Sequence, residues 1–361
     1  MEIKAKDEIS AQDGNTRAAF TERGTALPTG DRVLRPMKIA LEVLRVGPVL
    51  ILGTLFIAFT IATPYFFTVR NFQNLGTQCA IVSALALGEF LVIVVRGIDV
   101  SVASTIALST VVVSRLQIAG ISSGLVDLAA FLAVGATMGA GNALLIVKGR
   151  IPQPLVATVA MAGIGSGLAL LVSGGMEQVG MGVLVQQAGG GFLGPLPIPV
   201  LIILLLAAVL TVFTRRTQWG RWIYAVGGNP EAASWLGVPR SKVVMSAYIL
   251  CGVLAGVGGL IYAGRSNASS PLAGLGLEMD AITAVIIGGA SMFGGRGSVG
   301  NVLLGALIIG SIRNGLDLIG VSVFWQSISV GVTIILALEL DVLRRMLETK
   351  VRVRLATLEQ V

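Results

Sequence analysis

Long apolar runs set off by short polar or glycine-rich breaks make up most of this chain. Ten stand out, at residues 49–67, 79–95, 100–113, 125–147, 155–172, 199–213, 243–263, 281–293, 299–312 and 321–340. Within them the apolar residues are continuous rather than alternating, so they read as helices and not as the strands of a membrane barrel. A helix needs about 20 mainly apolar residues to cross about 30 Å of hydrocarbon. Several runs fall short of that or are interrupted by Gly, as in helices broken at depth, which are tolerated where the break faces protein or a cavity. The pattern predicts an all-α fold: a polytopic membrane bundle of about ten transmembrane helices, some short or broken, embedded in membrane lipid.

Residues 1–47 before the first run are polar and mixed in charge, and they form a predicted N-terminal tail. They hold no apolar core of the kind a signal peptide carries. Their opening stretch to Asp31 is predicted to be disordered. The pattern PMKIALEVLR at 36–45 fits either a short amphipathic helix on the membrane surface or a basic flank of the first span. The membrane domain then runs over 48–341, with a polar inner loop at 219–242, and a basic tail follows at 342–361.

The placement of Lys and Arg orients these spans. With the N-terminus in the cytoplasm, ten spans put Arg96, Lys148, Arg150, the cluster Arg215, Arg216, Arg221, Arg240 and Lys242, and Arg296 on the inner side. The tail residues Arg344, Arg345, Lys350, Arg352 and Arg354 also fall inside, while the long loop 173–198 has no Lys or Arg and falls outside. Arg70, Arg115, Arg265 and Arg313 are outer exceptions. The bias fixes both termini in the cytoplasm.

Composition adds exclusions. Hydrophobic residues make up 54% of the chain and charged residues 12%, where a soluble domain carries about 25% charged. The net charge of +7 belongs to the basic inner loops and is no sign of nucleic-acid binding. Cys79 and Cys251 lie in or beside apolar runs and suggest no disulfide framework, and the chain has no His. That removes the usual zinc ligands and the commonest general base, so neither a metal site nor catalysis is expected in this chain.

Two stretches match the dinucleotide fingerprint literally, 189–194 (GGGFLG) and 295–300 (GRGSVG). The fingerprint has physical meaning only between a strand and a helix, and neither stretch has that setting. No Gly-Lys-Ser or Gly-Lys-Thr occurs, so an ATPase driving this protein would be another subunit. A short likeness between 97–103 (GIDVSVA) and 294–300 (GGRGSVG) is no more than a glycine-rich chain gives by chance.

The inner segment 219–242, WGRWIYAVGGNPEAASWLGVPRSK, is too polar to span. Asn229 can cap a helix whose first turn holds Pro230 and Glu231, since Pro suits the first helical position and an acid suits the positive end of the dipole. Ala232, Ala233, Ser234, Trp235 and Leu236 continue it, and Gly237 with Pro239 can end it. The helix is either an inert connector or, with small Ala residues on one face and Trp235 and Leu236 on another, a surface that docks into a partner's groove.

Asn229 to Ala233 followed by Gly237 resembles the cytoplasmic coupling motif of ABC importer permeases, and the wider stretch resembles their ribose-type branch. Further matches run in order: 86–88 (ALG) leading to 97–102 (GIDVSV), 276–282 (GLEMDAI), 293–298 (FGGRGS), 305–308 (GALI), then Asn314, Gly315, Leu316, Leu318, Gly320 and Val321. Together they cover roughly 75–341. The resemblance implies a sugar-import permease of the bacterial inner membrane, acting as a dimer of two identical chains. It also implies separate ABC ATPase subunits, carrying ATP and Mg, that grip 229–237 from inside, and a periplasmic or extracellular sugar-binding protein outside. A branched-chain amino acid permease has the same architecture, and an ATP-independent secondary transporter would need ion-coupling acids or His in several spans.

Some positions depart from the family pattern. Arg96 and Ala103 stand where Gly is usual, and Glu89-Phe90 replaces an uncharged pair. An acid within a span usually faces the bundle interior. Glu89 either lines the pathway, with Phe90, or pairs with Arg96 two helical turns away. Asp99 and Ser101 either cap a helix break or touch substrate, and Glu278 and Asp280 either cap a helix or help dock the binding protein.

Overall fold

The structure, a computed structural model, describes residues 29–121 and 123–358. They fall into a membrane unit, 45–342, and the terminal segments, which are helical over 29–44 and 343–358. The tail expected to be disordered lies outside the described residues apart from its last few positions, and 36–45 is helical backbone.

Among the described residues the helices are α1 (Thr29–Ala62), α2 (Val69–Val94), α3 (Val102–Ile118), α4 (Gly124–Val147), α5 (Pro154–Ser173), α6 (Val183–Gly190), α7 (Ile198–Arg216), α8 (Gln218–Gly228), α9 (Pro230–Trp235), α10 (Arg240–Ser266), α11 (Leu277–Ile287), α12 (Val299–Leu318) and α13 (Val323–Leu358). Two short antiparallel pairs join loops: β1 (Gln178–Val179) with β4 (Ala268–Ser269), and β2 (Phe192–Leu193) with β3 (Leu196–Pro197). Local chemistry sets many of the ends. Thr68, Ser123 and Ser298 accept hydrogen bonds from the first turns of α2, α4 and α12, Pro154 opens α5, and Gly174 in the left-handed region closes it.

Seven helices (α2, α4, α5, α7, α10, α12 and the first part of α13) are long and apolar enough to cross a membrane, and two shorter apolar ones are 46–62 of α1 and α3. The eighth predicted span, 281–293, is one of the short ones, and its end is corrected. Its helix α11 stops at Ile287 after 11 residues, which cover about 16 Å or half the hydrocarbon. Gly289, Gly294, Gly295 and Gly297 then turn the chain at positive φ. Residues 288–298 are irregular, but the protein supplies partners for their backbone: Ala290 N–H donates to Val285 O at 3.1 Å, and Gly295 N–H to Val94 O at 2.9 Å.

Burial separates centre from periphery. The apolar window of α2 is 94% buried and that of α10 67%, against 17% for α13 and 22% for α5. The central helix α2 packs against α10, α11 and α12, and α10 against α4. At the α4–α10 crossing, Gly135 and Gly139 face Gly252 and Gly256, and a Cβ on Gly135 or Gly252 would collide with the other's carbonyl. Lipid gives apolar side chains no reason to prefer each other, so this close backbone approach holds the pair together.

Loop contacts sort into the two sides that the charges define. On one side Gly295 meets Val94, and the Thr158 hydroxyl donates to Ile98 O at 3.2 Å. On the other, β1 meets β4, Gln73 donates to Pro195 O at 3.0 Å, and Asn71 and Asn314 exchange amide hydrogen bonds at 3.0 Å. Three outer arginines have structural partners there. Arg115 donates to Val172 O at 2.8 Å, Arg265 to Asn74 Oδ1 at 2.9 Å, and Arg313 to Asp280.

Candidate functional site

The inner segment folds as two helices sharing one residue. Thr217 caps α8 by accepting from Gly220 N–H at 3.1 Å, and α8 buries Ile223, Val226 and Gly227. Asn229, in extended conformation, ends α8 by donating its N–H to Ala225 O at 3.0 Å, and its Oδ1 accepts from Ala232 N–H at 3.0 Å to open α9. Pro230 holds the first position and Glu231 the first turn. Pro230 and Ala233 are buried, while Trp235 and Leu236 are 87% and 84% exposed. Gly237 turns the chain at φ 81°. Leaving side chains of this size exposed forgoes about 1.5–3 kcal/mol each.

Side-chain hydrogen bonds help fasten this element to the bundle. Arg96, just past the end of α2, reaches α8: Nε donates to Gly227 O and an Nη to Gly228 O, both at 2.6 Å. These are terminal carbonyls of α8, where a cation meets the negative end of the helix dipole. Arg96 has φ 69°, a left-handed conformation that costs a residue with a Cβ about 1–2 kcal/mol. Hydrogen bonds to a charged group contribute about 1.5–3 kcal/mol each when shielded, and less here because Arg96 is exposed. Another comes from Tyr224 of α8, whose hydroxyl donates to Gly297 O at 3.0 Å. Burial pushes its phenol above the ordinary value, so it stays a neutral donor.

Near the inner end of α2 lies a packed polar cluster. Glu89 and Phe90 are 0% exposed, and Asp99 and Ser101 1%. Glu89 Oε2 accepts from Asp99 N–H at 3.3 Å, and Asp99 Oδ1 accepts from Ser101 N–H at 2.9 Å and Ser101 Oγ–H at 2.6 Å. Asn142 of α4 donates to both Asp99 carboxylate oxygens at 3.0 Å and to Ser101 Oγ at 2.8 Å. Tyr248 of α10 packs beneath Gly97, where a Cβ would strike its hydroxyl. Of the two readings of Glu89, the pair with Arg96 does not form: Arg96 turns to α8, and Glu89 turns inward to the backbone after α2. Asp99 caps the helix break, whereas Ser101 makes no side-chain cap and instead donates to Asp99. The four residues lie in the core of the chain and not on an open face.

On the outer side, Asp280 is corrected from cap or docking residue to a buried ion pair. It is 0% exposed, with Oδ2 at 2.6 Å from Arg313 Nε and Oδ1 at 2.8 Å from an Arg313 Nη. Glu278 stays half-buried in the first turn of α11. The outer ends of α2 and α10 border a cleft of about 750 Å³ lined by Tyr65, Asn71, Gln73, Asn74, Phe192 and Arg265 among others. Its amides, guanidinium and aromatic rings suit a polar ligand. No group of three or more metal-ligating side chains occurs among the described residues.

Residues 71–338 match the family described as branched-chain amino acid transport system / permease component. The ribose import permease of Bacillus subtilis (strain 168) is 38% identical over 299 residues, covering 82% of this chain and 92% of the relative. The D-allose transport system permease of Escherichia coli (strain K12) is 35% identical over 309 residues, 85% and 94% of the two chains. The L-arabinose ABC transporter permease of Azospirillum brasilense is 32% identical over 302 residues, 83% and 88%. No solved structure matches the chain.

Proposed function

The chain belongs to the ribose-type family of ABC importer permeases, and on that footing we propose that it is the membrane subunit of a binding-protein-dependent monosaccharide importer. One observation carries the reading: a separately capped helix, α9, presents Trp235 and Leu236 to solvent beside the basic inner loops. Two ATPase subunits, holding ATP and Mg, grip the α9 helices of two identical permease chains. A loaded binding protein docks on the outer face, near Glu278 and the outer cleft. ATP binding and hydrolysis move α9 and switch access across the membrane. The chain itself makes and breaks no covalent bond, and hydrolysis belongs to the partner.

The sugar class follows from the named relatives, which carry ribose, allose and arabinose. The amino-acid alternative rests on the family's description. Heating the cognate binding protein with each candidate ligand separates them. At 100 times Kd a true ligand stabilises it by about 2.7 kcal/mol. A pentose or hexose is expected to do so, and stabilisation by leucine alone would replace the sugar reading. Affinity purification of the detergent-solubilised chain tests the partner. The ATPase is expected to copurify and to be lost from Trp235→Ala/Leu236→Ala, and full retention by that variant would refute the role of α9.

A further inference from the structure

Arg96 ties the approach to α9 directly to the central helix through a charged side chain. It occupies a left-handed position where Gly would fit without strain. A strained conformation persists when its surroundings hold it. Both Arg96 donors end on Gly227 O and Gly228 O, the last two residues before the Asn229 cap of α9. Beside them, Gly295 N–H bonds Val94 O, and Gly227 packs so closely on Val94 that a Cβ would strike the Val94 carbonyl. The last turn of α8 therefore cannot shift without carrying the inner end of α2.

The rest of α2 is a 26-residue helix with a 94% buried apolar window. Its outer end holds Asn71, Gln73 and Asn74, which border the outer cleft and bond Asn314, Pro195 O and Arg265. From this geometry we infer that Arg96 is a positioning residue for energy coupling. It transmits displacement of α9 to α2, and α2 carries it to the outer cleft as a rigid element. The inference rests on the importer reading.

The test is the ratio of sugar imported to ATP hydrolysed in proteoliposomes holding the permease, its ATPase and the loaded binding protein, together with the Tm of the solubilised permease. Arg96→Gly relieves the strain as it removes the clamp, so Tm is expected to hold while the ratio falls about tenfold. Arg96→Lys, which keeps a cation at the α8 terminus, should recover part of the ratio. If Arg96→Gly folds poorly, Arg96→Gln gives the same comparison with the charge removed. A wild-type ratio in a folded Arg96→Gly or Arg96→Gln variant overturns the clamp alone. Absence of ATPase stimulation in the wild-type system removes the importer reading, and this inference with it.

Discussion

Replacing Asp280 alone with Leu strands the Arg313 guanidinium at the outer end of the bundle. Asp280 is 0% exposed and Arg313 19%, and the pair is joined at two points, 2.6 and 2.8 Å. Removing one partner of a buried pair costs about 3–5 kcal/mol, because the other charge stays desolvated and unpaired. The residual exposure of Arg313 places the effect near the lower end, about 3 kcal/mol. Exchanging both for apolar residues of similar volume, Asp280→Leu with Arg313→Met, leaves no stranded charge and is expected to come within about 1 kcal/mol of the parent. Unfolding of the purified chain in mixed micelles, titrated with SDS, measures each variant and closes the double-mutant cycle. A single-variant cost under about 1 kcal/mol, or a double variant as unstable as the sum of the singles, would refute the buried-pair argument.

Other expectations follow from the same structure. Asn229→Ala removes the α9 cap and should cost about 1 kcal/mol locally, read as faster amide exchange at 230–235 with global stability unchanged. Glu89→Gln keeps an acceptor for Asp99 N–H, so rate and selectivity of uptake should hold; a changed sugar preference would favour the pathway reading of Glu89 instead. Gly252→Val forces a side chain into the Gly135 carbonyl, and membrane yield should collapse, whereas Gly163→Ala, with open space at its Cβ, should not alter yield. Trp235→Ala should leave the Tm of the isolated chain unchanged, since that side chain is already 87% exposed.

Much of this was legible in the sequence because it is local or collective. Apolar runs long enough to span fixed the helices, and the Lys and Arg bias sorted the loops into the two groups that meet in the structure. The cap, Pro and Gly of 229–237 gave α9 nearly to the residue. The rest depends on contacts between distant positions. Asn142 meets Asp99 across 43 residues and Tyr248 approaches from α10, and neither position carries a local signal. The Asp280–Arg313 pair explains an arginine that the charge rule could only count as an exception. The Glu89–Arg96 expectation failed because helical spacing assumes a helix through both residues. The left-handed turn at Arg96 breaks that assumption and sends the side chain to α8. The shortness of α11 was hidden because the glycine-rich chain after Ile287 is apolar enough to extend the run.

The most direct test of the importer account is uptake of labelled sugar into proteoliposomes containing this chain, its ATPase and the loaded binding protein, with ATP supplied on the ATPase side. Uptake is expected to require ATP and to disappear when 229–237 is replaced by a Gly-Ser linker in a permease that keeps its Tm. Uptake that continues without ATP, or with the linker in place, would contradict it.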